Sequence, residues 1–201
     1  MIGIIDYGMG NIHSVQKALE SLGGQTIVTN QPEEVNDCAK VVLPGVGAFS
    51  DAMLELEKRD LIPALKEHIR KRRIFLGICL GMQLLFAGSE EAKGVKGLGV
   101  LKGAVKRFEN KKGLKVPHMG WNQLKFRSKC PLFQNIEDNA YVYFCHSYYA
   151  GPEDKGVIAA STDYGRDFTS IVWQENVYGV QFHPEKSQAI GLQILKNFIS
   201  L

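Results

Sequence analysis

Short apolar runs alternate with stretches of helical period through the first part of this chain, and nothing else in the sequence constrains its fold as strongly. Residues 2–6 read as a buried strand. Residues 11–22 follow with Ile12, Val15, Leu19 and Leu22 on one helical face and Gly23-Gly24 as a stop. Residues 25–29 and Lys40–Leu43 are the next strands, 51–58 and Leu61–Arg70 the next helices, and 74–78 a strand again. This βαβ alternation predicts a parallel sheet with right-handed crossovers. From Leu98 onward the pattern changes to short strand candidates at 100–108, 122–126, 141–149, 157–161, 169–173 and 177–182, which is antiparallel or hairpin material. Glu175-Asn176 fits the tip of the last hairpin, and residues 187–201 a closing helix with Ile190, Ile194 and Phe198 recurring every four residues. There is no internal repeat, low-complexity segment or linker. With 201 residues and 45% hydrophobic content, residues 1–201 read as one α/β domain able to bury a sizeable core.

Charge and cysteine usage exclude several functions. A net charge of +3 is too small to argue for nucleic acid or an anionic membrane. The basic run Arg70-Lys71-Arg72-Arg73 reads as a solvated helix end favoured by the helix dipole, with a partner contact as the second reading, and the same holds for Lys106-Arg107 and Lys111-Lys112 beside a loop. Cys38, Cys79, Cys130 and Cys145 form no CxxC pair and no regular framework, which fits reduced thiols and a cytoplasmic location. No basic n-region opens the chain, and no apolar run approaches the roughly 20 residues of a membrane span.

The chemistry concentrates at Gly77-Ile78-Cys79-Leu80-Gly81. An apolar, β-rich run precedes Cys79, and residues 82–86 suit a helix, so the cysteine sits at a strand-to-helix elbow that small flanking residues allow to fold tightly. A thiolate there is favoured by the positive end of a helix beginning at Leu80 and by a nearby imidazolium. His183 is the candidate base. Glu185, two residues on, shares a face with it in an extended segment and is placed to fix its tautomer, giving the order Cys, His, Glu. Acyl transfer also needs oxyanion donors. Leu80 N–H is one candidate, and the glycine-rich segment Pro44-Gly45-Val46-Gly47 after the Lys40–Leu43 strand is either the second or a plain turn into a helix. Cys145-His146 invites a metal reading, but adjacent strand residues point to opposite faces, and no metal or other cofactor is expected.

A glycine-flanked cysteine with a distant His-x-Glu resembles the class I glutamine amidotransferases. Six segments in order, Asp6–Asn11, Pro44–Gly47, the elbow, Pro117-His118-Met119-Gly120-Trp121-Asn122, His146-Ser147-Tyr148 and Gln181-Phe182-His183-Pro184-Glu185-Lys186, resemble the glutaminase subunits of imidazole glycerol phosphate synthases nearly end to end. The resemblance implies a central mixed, mostly parallel sheet flanked by helices, with an antiparallel C-terminal part. It implies L-glutamine as substrate, Cys79 as nucleophile, His183 as proton carrier and Glu185 as its orienter. By the same resemblance Gly45, Val46, Gly47, Leu80, Gln83, Glu91, His146, Ser147 and Tyr148 line the substrate site, with Glu91 near the α-amino group or simply an exposed loop acid. The implied partner is a (βα)₈-barrel cyclase, met by Met119, Trp121, Asn122, Tyr143 and Lys186; a core tryptophan and an ordinary surface lysine are the alternatives for Trp121 and Lys186. The triad alone also accommodates a cysteine hydrolase of another amide or ester, or a glutaminase serving a different synthase. A scaffold without chemistry is the third option, against which the intact Cys79, His183 and Glu185 argue.

Overall fold

The computed structural model describes residues 1–109 and 113–201, so the Lys111-Lys112 pair lies outside the described residues. The first part runs β1 (Ile2–Ile5), α1 (Ile12–Ser21), β2 (Thr26–Thr29), α2 (Pro32–Asp37), β3 (Lys40–Leu43), α3 (Phe49–Lys58), α4 (Leu61–Arg70), β4 (Ile74–Ile78) and the single turn α5 (Leu80–Gln83). Then come β5 (Phe86–Ser89), β6 (Ala92–Lys96), β7 (Leu101–Arg107), β8 (His118–Gln123), β9 (Lys125–Phe126), β10 (Tyr141–His146), β11 (Tyr148–Pro152), β12 (Ile158–Asp163), β13 (Asp167–Gln174), β14 (Val177–Val180) and α6 (Gln188–Ser200).

Among the described residues one mixed sheet of 12 strands carries the order β2-β1-β3-β4-β14-β13-β11-β7-β5-β6, with β12 branching from β13 and β9 pairing with β12. Its first four strands are parallel, as the βαβ alternation predicts; β14, from the part read as antiparallel, adds a fifth parallel strand against β4 while pairing antiparallel with β13, and β11 and β7 continue the sheet antiparallel. β1, β3, β4 and β14 are buried on both faces, while the edge strand β2 is mostly half-buried. In β4, Leu76 and Ile78 join the layer beneath α1 and α6, while Phe75 joins the layer beneath α2, α3 and α4. Near-continuous apolar runs are what double burial requires. Asn11 accepts Ser14 N–H and starts α1.

Four expectations need correction. The helix read over 82–86 is only the turn α5; Phe86 already pairs with Leu101 in the sheet. A short apolar run gives no period by which to separate buried helix from buried strand. Residues 141–149 are two strands broken at Ser147, β10 pairing with β8 in a separate ribbon and β11 with β7 in the main sheet. The strand read over 122–126 is likewise divided, since Leu124 is buried between β8 and β9 and its N–H turns to Ala140 O. The basic run after α4 is only partly a solvated end. Arg70 pairs with Glu67 and Arg72 with Glu175, but Arg73 turns inward and donates to the carbonyls of Asn36 and Cys38.

Candidate active site

The carboxyl ends of β3, β4 and β14 converge, which is where open α/β sheets bind ligands. The loop after β3 brings residues 44–47, the elbow after β4 brings Cys79, and the segment after β14 brings His183. Cys79 has φ 54° and ψ −107°, a strained backbone for a side-chain-bearing residue, held by its N–H donating to Val180 O at 2.7 Å. The flanking glycines are demanded by contact distance. A Cβ on Gly81 would lie 1.8 Å from Leu43 O, and one on Gly77 2.6 Å from Gly81 O. Two strands and a helical turn meet there with no room for a methyl group.

The cysteine and histidine, separated by more than a hundred residues in sequence, line the same cavity and lie close enough to interact electrostatically. His183 Nδ1 lies 2.9 Å from Glu185 Oε1, so its other ring nitrogen is the one left for Sγ. Side-chain exposures of 5% and 1% put this ion pair out of water. Burial opposes the charged imidazole, but hydrogen bonds to Cys79 and Glu185, reinforced by their charges, outweigh it and push His183 up to about 10. Glu185 Oε2 is buried without a partner, so the imidazole is the main group offsetting that carboxylate. A buried imidazolium held by a carboxylate beside Cys79 is the proton carrier that acyl transfer through a cysteine needs. The helix-dipole contribution expected from residues 80 onward is small, because α5 has only one turn.

A cavity of about 340 Å³ opens beside this pair. Of the residues expected to line the substrate site, Val46, Gly47, Leu80, Gln83, Glu91, His146, Ser147 and Tyr148 do so. Gly45 does not. It packs under the loop instead, where a Cβ would sit 2.4 Å from the Tyr7 hydroxyl that itself donates to Pro44 O at 2.9 Å. Gly47 holds φ 93°, a value that few side-chain-bearing residues adopt. Glu91 is neither a free loop acid nor wholly free for a ligand, since its Oε2 accepts the Phe49 N–H at the start of α3 at 2.9 Å. Gln83 is buried and donates to Tyr148 O and Gln181 Oε1, both at 3.0 Å. Pro117, Cys145 and Gln181 are additions: the first two line the cavity and the third points its Nε2 at Cys79 Sγ from 3.7 Å. Gln181 could have been found from the sequence, since it stands two residues before His183 in the same short segment after β14.

The residues expected at a partner surface separate by face. β8 and β10 pair with Trp121 opposite Tyr143 and Met119 opposite Cys145. Met119 is 62% and Trp121 46% exposed, which removes the core reading of Trp121, and Trp121 meets Tyr143 edge to face at 6.1 Å. Lys186 is exposed at the mouth of the cavity. Asn122 departs from the expectation: it lies on the other face of β8, its amide donating inward to Asp163 O at 2.8 Å and reaching His118 Nε2 at 3.3 Å. Val142, Phe144 and His146 occupy the buried face of β10. No helix among the described residues is long and apolar enough to cross a membrane.

Comparison with known proteins agrees with this geometry. The family model "Glutamine amidotransferase class-I" matches residues 3–201, and the chain belongs to that family. Within it, curated proteins about half identical over nearly the whole chain carry the name imidazole glycerol phosphate synthase subunit HisH. The chain is 52% identical to that of Geobacter metallireducens, covering 98% of this chain and 96% of the relative, and 52% identical to that of Methanocaldococcus jannaschii over 100% of both. Among solved structures, one described as a glutamine amidotransferase superposes with a TM-score of 0.77 at 18% identity over 100% of this chain and 99% of that one. PurLQS from Thermotoga maritima gives 0.76 at 18% identity over 99% and 95%. At such identities the structures establish the fold, while the HisH relatives fix the branch of the family.

Proposed function

We propose that this chain is the glutaminase subunit of an imidazole glycerol phosphate synthase, and that it hydrolyses L-glutamine through a Cys79 thioester. The observation that carries the reading is the meeting of Cys79 with the buried His183–Glu185 pair at the floor of a cavity sized for one small polar molecule. The thiolate attacks the carboxamide carbon. His183 gives its proton to the departing nitrogen, the C–N bond breaks, and ammonia leaves behind a glutamyl thioester. Water, deprotonated by His183, then attacks the thioester and releases glutamate and the free thiol. Backbone N–H groups of Leu80 and of the loop at Val46 and Gly47 are the candidates to hold the oxyanion, each worth about 2.7–4 kcal/mol of barrier.

Free ammonia is largely protonated near neutral pH and diffuses away, so its release calls for a sheltered acceptor. The partner read from the HisH resemblance is a (βα)₈-barrel cyclase in the cytoplasm, which takes N′-phosphoribulosyl-formimino-aminoimidazole carboxamide ribonucleotide to imidazole glycerol phosphate and aminoimidazole carboxamide ribonucleotide in histidine biosynthesis. The exposed Met119–Trp121–Tyr143 face and Lys186 suit such a contact, because aromatic anchors dominate interface energetics. The test is glutamine-dependent product formation with that cyclase, and labelling of Cys79 by a diazo-type glutamine analogue. Cys79→Ala should abolish both; turnover surviving that change removes Cys79 as nucleophile.

A further inference from the structure

Behind the cavity wall a second set of buried groups is wired with a single polarity. Tyr148 O can only accept a hydrogen bond, and His146 Nδ1 lies 2.7 Å from it, so Nδ1 carries the proton. Burial pushes His146 down to about 3, leaving it neutral with a bare lone pair on Nε2. His118 Nδ1 lies 3.1 Å from that lone pair and must donate to it. Burial also holds His118 down at about 4, so its Nε2 is an acceptor, and Asn122 Nδ2 stands 3.3 Å away. The Asn122 amide cannot turn over. Its Nδ2 also donates to Asp163 O at 2.8 Å, and its Oδ1 accepts the Gln123 N–H at 2.8 Å. Backbone groups of fixed polarity therefore anchor both ends, and each imidazole is left one tautomer, the Nδ1–H form. Aromatic packing keeps the His118 ring in place, stacked at 3.9 Å on Tyr164 and 4.8 Å on Phe144.

The polarity continues past Tyr148. Gln83 Nε2 gives one hydrogen to the same carbonyl and the other to Gln181 Oε1. Both hydrogens of that amide are thus committed, and Oε1 is the end left to meet a molecule in the cavity. We propose that His118 and His146 are positioning residues whose fixed tautomers hold the Tyr148 carbonyl, and through it turn the Gln83 amide so that its oxygen faces the substrate. An oxygen there accepts from a carboxamide N–H₂ or an ammonium group and repels a carboxylate oxygen. The relay so favours a carboxamide substrate over the carboxylate it becomes. This deepens the glutaminase reading and rests on it.

The test pairs a spectrum with kinetics. In ¹⁵N-histidine-labelled protein, His118 and His146 should both show the Nδ1–H tautomer and stay neutral from pH 5 to 9. His118→Phe keeps the ring packing but leaves His146 Nε2 without a donor. In the complex with the cyclase it should raise KM for glutamine roughly tenfold, change kcat much less, weaken the preference for glutamine over glutamate as competitor, and shift the His146 resonances. His118→Asn keeps a donor near the Nδ1 position and should restore most of the KM. If His118→Phe fails to fold, His118→Gln, whose amide reaches toward Asn122 instead, serves in its place. An Nε2–H tautomer at either histidine in the wild type overturns the relay, as does an unchanged KM in the folded variant. Absence of glutamine turnover by the wild-type complex would instead defeat the glutaminase reading, and the tautomer measurement would still decide the relay.

Discussion

His183 and His146 line one cavity and His118 stands behind it, all three with almost the same exposure, 4%, 6% and 3%, yet they hold opposite charge states. His183 stands between Cys79 and Glu185 and is raised to about 10, while His146 and His118 are lowered to about 3 and 4. Burial acts against the charged form in all three. What separates them is the neighbour: a carboxylate and a sulfur at one end, a carbonyl and a second imidazole at the other. One end of the site is built to hold a proton in transit, the other to hold hydrogen bonds of fixed direction.

Removing the charge at the catalytic end should have the largest effect. Glu185→Gln leaves the ring without its anion, and glutamine turnover is expected to fall on the order of 10⁴-fold in steady-state assays with the cyclase. The same change bears on stability. Because the folded His183 value lies above the ordinary 6.5, its charged form contributes stability that is fully present below pH 6.5 and is lost as pH rises toward 10. Thermal midpoints measured over that range should decline less steeply in Glu185→Gln. An unchanged turnover would erase the contrast between the two ends.

The elbow beneath that charged pair should be nearly as sensitive. Gly81→Ala places a methyl group 1.8 Å from Leu43 O, where the obstacle is backbone and cannot swing aside. A loss of about 3 kcal/mol or more is expected in urea unfolding, against small effects at exposed glycines. Gly23, with open space around its Cβ position but φ 84°, is a suitable control for backbone conformation alone.

How much of this was readable from residues alone follows the same division. The βαβ part was legible because strands buried on both faces are written as apolar runs, and Lys40–Leu43 and Leu61–Arg70 fall where the pattern puts them. The elbow at Cys79 was legible because only glycines fit two residues to either side of it. The break at Ser147 was not, since two strands that leave for different sheets carry no change of period at the junction. Nor was the face of Asn122: alternation along β8 sets it opposite Trp121, but the strand's start at His118 had to be known first. The relay was invisible, because hydrogen-bond polarity depends on the partner of each ring nitrogen and no spacing encodes that.

Outside the relay end, the exposed aromatic face of β8 and β10 contrasts with its buried histidine face one residue away. Trp121→Ala should weaken binding to the cyclase by about 2 kcal/mol in a titration, roughly thirtyfold in Kd. Since Trp121 is 46% exposed in the free chain, its thermal midpoint should move little. A large fall in midpoint with unchanged affinity would mean that the ring serves the fold and not a partner.

The smallest effect discriminates most finely between the two kinds of histidine. A histidine kept neutral in the fold but free to charge when unfolded makes the unfolded state bind more protons below pH 6.5. Stability then falls as pH drops, by about 1.4 kcal/mol per pH unit for each such group, until the folded-state value is reached. For His118 that window runs from 6.5 down to about 4, opposite in sign and separate in range from the loss that His183 brings above pH 6.5. His118→Phe deletes one such group, so denaturant unfolding from pH 7 to 4 should show a slope shallower by up to that amount, with other acid-titrating groups cancelling in the difference from wild type. A parallel pair of curves would mean that His118 takes a proton inside the fold, and the contrast between the charged and neutral ends of the cavity would be lost.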